Sequence, residues 1–267
     1  MNSRRLIFHF YAMPDYEKNP AYKMHFACLK RYSHLFDSAK FFISVDDTSN
    51  RSLITSVAAK IVSCGFVENV EFVVVKNTIY REALTFKDEI ADKMDELSGL
   101  TFFAHTKGVS NVSSPENDVD SVLKWIFGCY YLSLERIDDV HNQMQVYQPQ
   151  NQRFFYGSFL KEVLPEYGGG TKYGAEYEGS FYWINGQPLY DYIKENNLPM
   201  PRNFGRFYAE RFPGDIFPID NHIGSYSLRY YYGDVSLYSE CDEVLSLILK
   251  DNEINDFYMK YNAVYDN

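Results

Sequence analysis

Two short runs of the sequence pass directly from apolar residues to side chains that bind anions, hydroxyls or metal ions. "LTFFAHTKG" ends with His105, Lys107 and a glycine, and "FFISVDDTS" continues into Asp46 and Asp47. A lysine followed by glycine can place a cation and bare backbone donors against an oxyanion or diphosphate. An aspartate can accept a hydrogen bond from a base N–H or a ribose hydroxyl. These four side chains are therefore candidate ligand-binding groups.

Two further runs have the same form. "RLIFHFYA" contains His9 and Tyr11 near its end, and "VEFVVVKN" ends with Asn77, four residues before Arg81. All four side chains can donate a hydrogen bond to a phosphate or sugar oxygen. Taken singly, such strand ends are equally typical of solvated turns, which favour Asp, Asn and Ser. They indicate a binding site only if the fold brings them together.

The elements that must position these residues alternate along the first part of the chain. Predicted strands are "RLIFHFYA", "KFFISVDD", "VEFVVVKN" and "LTFFAHTKG", and predicted helices are "NPAYKMHFACLKRYSHLF", "SLITSVAAKIVSCG" and "REALTFKDEIADKMDEL". This alternation indicates βαβ units and a parallel sheet. In such sheets ligands bind beyond the carboxyl ends of the strands. The sequence therefore predicts an α/β fold, with a mostly parallel central sheet flanked by helices and four polar strand ends lining one crevice.

The second part of the chain is less regular. "DVDSVLKWIFGCYYLSLERIDDVHNQM" predicts a long helix or a helix pair, "SFYWING" a buried strand and turn, and "PLYDYIKENN" a short helix. Within the irregular, Tyr-rich residues 202–238, "RFYA" has a strand-like pattern, and the C-terminal region is predicted to be helical. With no internal repeat and no linker, the 267 residues predict a single domain, in which 1–112 and 113–267 form two functional halves.

Composition narrows the function classes. The chain is 46% hydrophobic and 23% charged, as in ordinary soluble globular proteins. Its aromatic content of 18% suits clefts that stack on sugars or bases, although compositional drift gives the same value. A net charge of −10 argues against general nucleic-acid binding, while a small anionic ligand at a local basic site is compatible with it.

Cysteine usage and hydropathy bear on location. Cys28, Cys64, Cys129 and Cys241 lie far apart, without the spacing of a zinc site. We expect reduced thiols in a cytoplasmic protein. No apolar run approaches the roughly 20 residues of a membrane span. We therefore expect no transmembrane segment, and any membrane contact would be peripheral.

These motifs carry a family resemblance. "FISVDDTS" resembles a strand end of family-two, GT-A-fold glycosyltransferases. The combination of Asn77, Arg81 and Glu82 with "FFAHTKGVS" is similar to the rhamnan-synthesis F-like glycosyltransferases. Trp125 and "GSFYWIN" are similar to segments of bacterial polysaccharide glycosyltransferases, and the resemblance spans about residues 5–215. The chain departs from the pattern in lacking a glycine before Arg81 and in having Glu82 where aspartate is usual.

The resemblance implies a GT-A-like fold, an irregular aromatic-rich acceptor region, and a UDP- or dTDP-linked sugar as donor. The donor-binding residues would be Tyr11, Asp46, Asp47, Asn77, Arg81, His105 and Lys107. In GT-A enzymes the fourth strand usually ends in an Asp-x-Asp pair that holds a divalent metal. Because Lys107 can neutralise the diphosphate directly, we expect no metal cofactor. Mn²⁺ or Mg²⁺ held by Asp46, Asp220 or His222 is the alternative.

Transfer with inversion needs a carboxylate that deprotonates the acceptor hydroxyl. The candidates are Glu210, Asp215 and Asp220, and Glu210 is favoured because "RFYAE" is similar to an Arg-x-x-x-Glu of the same polysaccharide enzymes. A structural ion pair with a neighbouring arginine is the competing interpretation of Glu210. Tyr182 and Trp183 are candidates for stacking on the acceptor sugar, although a strand Trp is also typical of a core.

The leading interpretation is thus a glycosyltransferase that moves a sugar from a nucleotide donor to a glycan or lipid-linked acceptor in surface polysaccharide synthesis. One alternative is a non-catalytic domain that binds a nucleotide sugar or a glycan. Another is an α/β phosphotransferase or hydrolase. That class would need a G-x-S-x-G, P-loop, H-E-x-x-H or comparable motif, which the sequence lacks.

Overall fold

The computed structural model describes residues 3–66, 68–113, 118–145, 153–163, 171–177, 179–201, 204–218, 222–224, 227–230 and 245–262. Ten strands lie in these residues: β1 (Arg4–Tyr11), β2 (Ser38–Val45), β3 (Val70–Lys76), β4 (Leu100–His105), β5 (Phe155–Gly157), β6 (Leu160–Val163), β7 (Ala175–Tyr177), β8 (Tyr182–Asn185), β9 (His222–Gly224) and β10 (Ser227–Tyr230). Seven of them form a mixed sheet in the order β3, β2, β1, β4, β8, β5, β9, and β10, β6 and β7 form a smaller one.

The first four strands are parallel, which confirms the predicted arrangement of the first half of the chain. β8 lies antiparallel between β4 and β5. β2 and β3 lie on one side of β1 and β4 lies on the other, so the strand order reverses between β1 and β4. In open α/β sheets this reversal opens a crevice at the carboxyl ends of the two strands.

The helices that connect or follow these strands include α1 (Pro20–Tyr32), α2 (Arg51–Val62), α3 (Glu82–Phe86), α4 (Val119–Leu134), α5 (Ile137–Gln145), α6 (Gly186–Glu195), α7 (Tyr208–Ile216) and α8 (Asn252–Asn262). α1 begins where the Asn19 side chain accepts a hydrogen bond from the Ala21 N–H and Pro20 takes the first helical position. The segment that was predicted to form a long helix or a helix pair forms the pair α4 and α5.

Two local predictions differ from the structure, one of a helix and one of a strand-like run. The expected continuous helix after β3 is a single α-helical turn, α3, followed by a π-helical turn over Lys87–Ala91 and a 3₁₀ turn over Met94–Glu96. Phe86, Ile90 and Met94 are all buried along this segment. "RFYA" is not a strand, since α7 begins at Tyr208.

Both faces of the large sheet are covered. On β1, Phe8 and Phe10 pack with α1 and α4 in one apolar cluster, and Ile7 packs with α3, α6 and α7 in another on the opposite face. Side chains alternate along a strand, so burial on both faces requires nearly continuous apolar runs. The sheet combines strands from residues 1–112 with strands from 113–267, and the separate roles assigned to these two halves stay a prediction.

Candidate active site

A cavity of about 430 Å³ opens at the carboxyl ends of β1 and β4, where the strand order reverses. Its lining comes from β1, the segment after β3, the segment after β4, α4 and the start of α7. The lining side chains that carry the chemistry are His9, Tyr11, Asn77, Arg81, Glu82, His105, Thr106, Lys107, Arg206, Phe207 and Glu210. Five predicted donor-binding residues and the favoured carboxylate therefore lie around one space.

Three predicted residues from the ends of three adjacent strands form a hydrogen-bonded group, of which Tyr11 and Asn77 line the cavity and Asp46 lies beside them. The Tyr11 hydroxyl donates to Asp46 Oδ2 at 3.1 Å, and the Asn77 amide donates to Asp46 Oδ1 at 2.9 Å. Burial and the neighbouring Asp46 carboxylate raise the pKa of Tyr11. The carboxylate is exposed, so its orientation is set while it can still accept from a ligand.

Asp47 is not part of this group. Its carboxylate accepts hydrogen bonds from the Ser49 N–H at 2.9 Å and from the Ser49 hydroxyl at 2.7 Å, in a local turn. These two bonds lower the pKa of the exposed Asp47 carboxyl. Neither aspartate lines the cavity, but Asp46 is hydrogen-bonded to two residues that do, whereas Asp47 bonds within its own turn. For this residue the structure fits the turn interpretation rather than the ligand-binding one.

Arg81 has a strained backbone at the cavity wall. Its φ of 46° and ψ of −130° are values that L-residues rarely adopt. Such conformations cost about 1–3 kcal/mol and cluster at functional sites, because the surrounding structure must hold them. Arg81 directly precedes α3, so its conformation sets where Glu82, the first residue of α3, lies. Both residues line the cavity.

His105 is a neutral, buried imidazole. Its Nε2 donates a hydrogen bond to the Gly179 carbonyl at 2.9 Å, so Nδ1 carries the lone pair. Burial, with a further contribution from the nearby Lys107 ammonium, lowers the pKa of His105 to about 3. Nδ1 lies 3.9 Å from Glu82 Oε2. On the adjacent strand, burial lowers the pKa of His9 to about 4, and its Nδ1 contacts the Thr85 hydroxyl at 2.9 Å.

Lys107 contacts both a carboxylate and an aromatic ring. Its Nζ lies 3.0 Å from Glu210 Oε1, and 5.0 Å from the centre of the Trp125 ring. The Lys107 side chain is 19% exposed and that of Glu210 is 10% exposed. A charge pair with this little exposure strongly constrains both groups, because separating them would leave an unpaired charge in a partly dry site.

The backbone around Lys107 is fixed from several sides. His25, fully buried in α1, donates from Nε2 to the Lys107 carbonyl at 2.8 Å and contacts the Tyr130 hydroxyl through Nδ1 at 2.9 Å. The Thr106 hydroxyl accepts from the Tyr11 N–H at 2.9 Å. Gly108 has φ +77°, and a Cβ there would lie 2.9 Å from Val122 Cγ1. The lysine therefore leaves the strand end in one defined direction.

The predicted acceptor residues require a correction. Tyr182 and Trp183 have no exposed surface. The Tyr182 hydroxyl donates to the Ala209 carbonyl, and Trp183 Nε1 donates to the Ser133 carbonyl at 2.8 Å. β8 lies between two other strands and is covered on both faces, so its alternating side chains are all core residues. Neither ring can stack on a sugar in this fold.

The other candidate residues lie elsewhere. Asp220 lies outside the described residues. Asp215 accepts from the Lys172 N–H at 2.9 Å and does not line the cavity. His222 donates from Nε2 to the Phe217 carbonyl at 3.1 Å, and burial lowers its pKa to about 4. His222 is a core histidine of β9, apart from the cavity lining.

Sequence reasoning missed several residues that shape the site. Glu82 was not among the predicted donor-binding or catalytic residues, although its side chain is only 13% exposed and lines the cavity. Its signal was its position beside Arg81 in the family-like motif. Arg206 and Phe207 precede Glu210 in the same run. His25 gave no signal, because a histidine in an amphipathic helix is usually a core residue.

Within the described part of the chain, no group of three or more His, Cys, Asp and Glu side chains is placed to hold a metal ion. None of the described helices has the length and apolar character needed to cross a bilayer. No protein-family model matches the chain, and no curated protein matches it at a significant level. The chemistry of the cavity must therefore be inferred from its residues.

Proposed function

We propose that the protein is a GT-A-type glycosyltransferase that transfers a sugar from a nucleotide-diphosphate donor, UDP- or dTDP-linked, to a glycan or lipid-linked acceptor in surface polysaccharide synthesis. The observation that carries this proposal is the convergence of two groups on one cavity: Tyr11 and Asn77, which hold the adjacent Asp46, on one side, and Lys107 with Glu210 on the other. The first group suits a nucleoside, and the second suits a diphosphate next to a carboxylate.

The nucleoside would bind beside Asp46. Uracil and thymine both present an N3–H donor, and ribose presents hydroxyl donors, so an oriented carboxylate can accept from either. Tyr11 and Asn77 hold the two Asp46 oxygens at 3.1 and 2.9 Å, which reduces the ordering cost on binding. A ring face of Tyr11 at the cavity wall can contact the base.

The diphosphate would bind beside Lys107. When the bond between the sugar and the β-phosphate breaks, negative charge grows on the leaving phosphate oxygen. A fixed ammonium at that place stabilises the transition state more than the ground state. Arg81 and Arg206 line the same cavity and can bind phosphate oxygens in a bidentate manner. Mn²⁺ or Mg²⁺ would supply the same charge by another route.

The acceptor would enter past exposed aromatic rings rather than past β8. Tyr80 is 39% exposed and Phe207 is 47% exposed, and the Tyr80 ring lies 4.9 Å from that of Phe204. Phe207 lines the cavity, and Tyr80 directly precedes Arg81. Exposed rings beside a polar cleft suit either a sugar face or a lipid-linked acceptor. These rings take the role that Tyr182 and Trp183 cannot have.

The test begins with binding. UDP, dTDP and uridine are titrated calorimetrically against the wild-type chain and against Lys107→Ala, with the exposed Lys18→Ala as a matched control. Lys107→Ala should weaken diphosphate binding about 10-fold or more and leave uridine binding nearly unchanged, because only the diphosphate contacts the ammonium. Equal loss for uridine and UDP would contradict the assignment of Lys107 to the phosphates.

Turnover then separates the enzyme from the alternative, a non-catalytic domain that binds nucleotide sugars or glycans. Nucleotide sugars that raise the melting temperature are incubated with acceptors, and released nucleoside diphosphate is measured. Transfer should persist in EDTA, since Lys107 supplies the charge. Loss of transfer in EDTA that Mn²⁺ restores would assign the diphosphate charge to a metal. Binding without any transfer would favour the non-catalytic domain.

A further inference from the structure

Within the proposed glycosyl transfer, we infer that Glu82 is the general base that deprotonates the acceptor hydroxyl, and that Glu210 is a positioning residue that holds Lys107. The inference depends on the proposed function and revises the role expected for Glu210. It rests on three observations: the partners of the two carboxylates, the state of His105, and the backbone of Arg81.

The two glutamates line the same cavity but have different partners. Glu210 lies 3.0 Å from the Lys107 ammonium. Glu82 lies near the neutral His105 ring, 3.9 Å from Nδ1, a distance too long for a hydrogen bond. Protonating Glu210 would remove the charge that pairs with a largely buried ammonium, whereas protonating Glu82 would not disturb that pair. The proton from the acceptor is therefore better received by Glu82.

The neutral imidazole presents an acceptor nitrogen toward Glu82. Because Nε2 of His105 donates to the Gly179 carbonyl, Nδ1 can only accept. An ionised Glu82 carboxylate and this nitrogen are two acceptors that face each other without a proton between them. A hydroxyl donor placed beside them satisfies one of these two atoms, and a side-chain shift of under about 1 Å would bring the Glu82 carboxyl within hydrogen-bond distance of Nδ1. The pair therefore offers two hydrogen-bond-accepting atoms to the hydroxyl of the glycosyl acceptor.

The backbone directly before Glu82 is strained. Arg81 adopts φ 46° and ψ −130°, and Glu82 is the next residue and the first of α3. A relaxed backbone at Arg81 would direct α3, and with it the Glu82 side chain, differently. With an exposure of 13%, the Glu82 side chain is largely shielded from solvent. Strain that fixes a shielded carboxylate in a cavity is typical of a functional residue.

The step is a single displacement. The acceptor O–H bond breaks, its proton passes to a Glu82 oxygen, and the acceptor oxygen forms a bond to the anomeric carbon. The bond from that carbon to the β-phosphate oxygen breaks, and its electron pair stays on the nucleoside diphosphate beside Lys107. Glu82 afterwards loses its proton to water. The product has the inverted anomeric configuration.

The experiment compares Glu82→Gln, Glu210→Gln and the control Glu71→Gln, an exposed glutamate of β3. With the wild-type chain and an active nucleotide sugar, Glu82→Gln should lower kcat roughly 10²–10⁴-fold with UDP affinity unchanged. Glu210→Gln should change UDP affinity and lower kcat by no more than about 10-fold, and Glu210→Asp should restore part of both. Formate should restore turnover more in Glu82→Ala, where it replaces the missing base, than in Glu210→Ala, where it can only pair with Lys107.

Three results would overturn the assignment while leaving the proposed function intact. They are wild-type-like kcat in Glu82→Gln, a loss above 10²-fold in Glu210→Gln with unchanged UDP affinity, and a product that retains the donor configuration. Melting curves show whether each variant folds. If a Gln variant does not fold, formate rescue of the two Ala variants tests which glutamate is the base. If the wild-type chain itself transfers no sugar with any donor, the proposed function fails, and the base assignment fails with it.

Discussion

His25 provides a test of how the site is held together that does not depend on any substrate. This residue is fully buried, donates to the Lys107 carbonyl and contacts the Tyr130 hydroxyl. Burial lowers its pKa from 6.5 to about 3. The folded chain therefore keeps His25 neutral at pH 5, while the unfolded chain binds a proton there. We expect the His25→Gln variant to lose this part of the acid sensitivity.

The magnitude follows from the two pKa values. Between pH 6.5 and about 3 the unfolded state binds more protons than the folded state, so stability rises with pH in this window and is fully present above it. Lowering the pH from 7.5 to 5 brings the solution about 1.5 pH units below the unfolded pKa of His25. This corresponds to about 2 kcal/mol of lost stability. Glutamine can still donate to the Lys107 carbonyl but does not titrate. The stability difference between wild type and His25→Gln should therefore shrink by about 2 kcal/mol.

The assay is urea unfolding of both proteins at pH 7.5, 6.5, 5.5 and 5.0, with the exposed His34→Gln as the matched control. The buried His9, His105 and His222 are present in every protein and cancel in the comparison. A difference that changes by less than about 0.5 kcal/mol over this range would refute the claim that a buried, neutral His25 holds the Lys107 backbone.

Three further predictions concern the rest of the site. Asp46→Ala should weaken UDP binding by about 1–3 kcal/mol while Asp47→Ala has a smaller effect, measured by calorimetry, because only Asp46 belongs to the Tyr11 and Asn77 group. Trp183→Phe should lower the free energy of unfolding by about 1–3 kcal/mol and leave the KM for acceptor unchanged, since the ring is a core residue whose N–H donates to a buried carbonyl; a raised KM would restore it as an acceptor residue. Gly108→Ala should cost about 1–3 kcal/mol in urea unfolding and lower turnover, whereas Gly205→Ala, with no atom within 4 Å of its added Cβ, should do neither.

Local pattern was enough to predict the framework of the sheet. β1 to β4 were located from apolar runs separated by helical periodicity, and their carboxyl ends were expected to share one crevice. Parallel strands joined by helices leave little choice about which ends meet, so the grouping of Tyr11, Asp46 and Asn77 followed from topology. The turn at Asp47 was also one of the two interpretations of that residue, because its hydrogen bonds to Ser49 depend on neighbouring residues alone.

Properties that depend on distant residues could not be obtained in this way. The pattern of "SFYWING" shows that the strand is apolar, but only its position between β4 and β5 buries both Tyr182 and Trp183. The helical start of α7 was hidden because aromatic residues fit a strand as well as a buried helix face.

The sequence by itself therefore determined the succession of strands and helices along the first part of the chain and the residue types at the strand ends, since both follow from short-range periodicity. The tertiary structure determined which of these side chains contact each other. Lys107 and Glu210 are 103 residues apart in the chain, yet their charges lie 3.0 Å apart. His105 lies 3.9 Å from Glu82 because the end of β4 and the segment that begins α3 both border the crevice. Which carboxylate lies beside the lysine is a property of packing, because charge pairing depends on distance in space and on burial, not on separation along the chain.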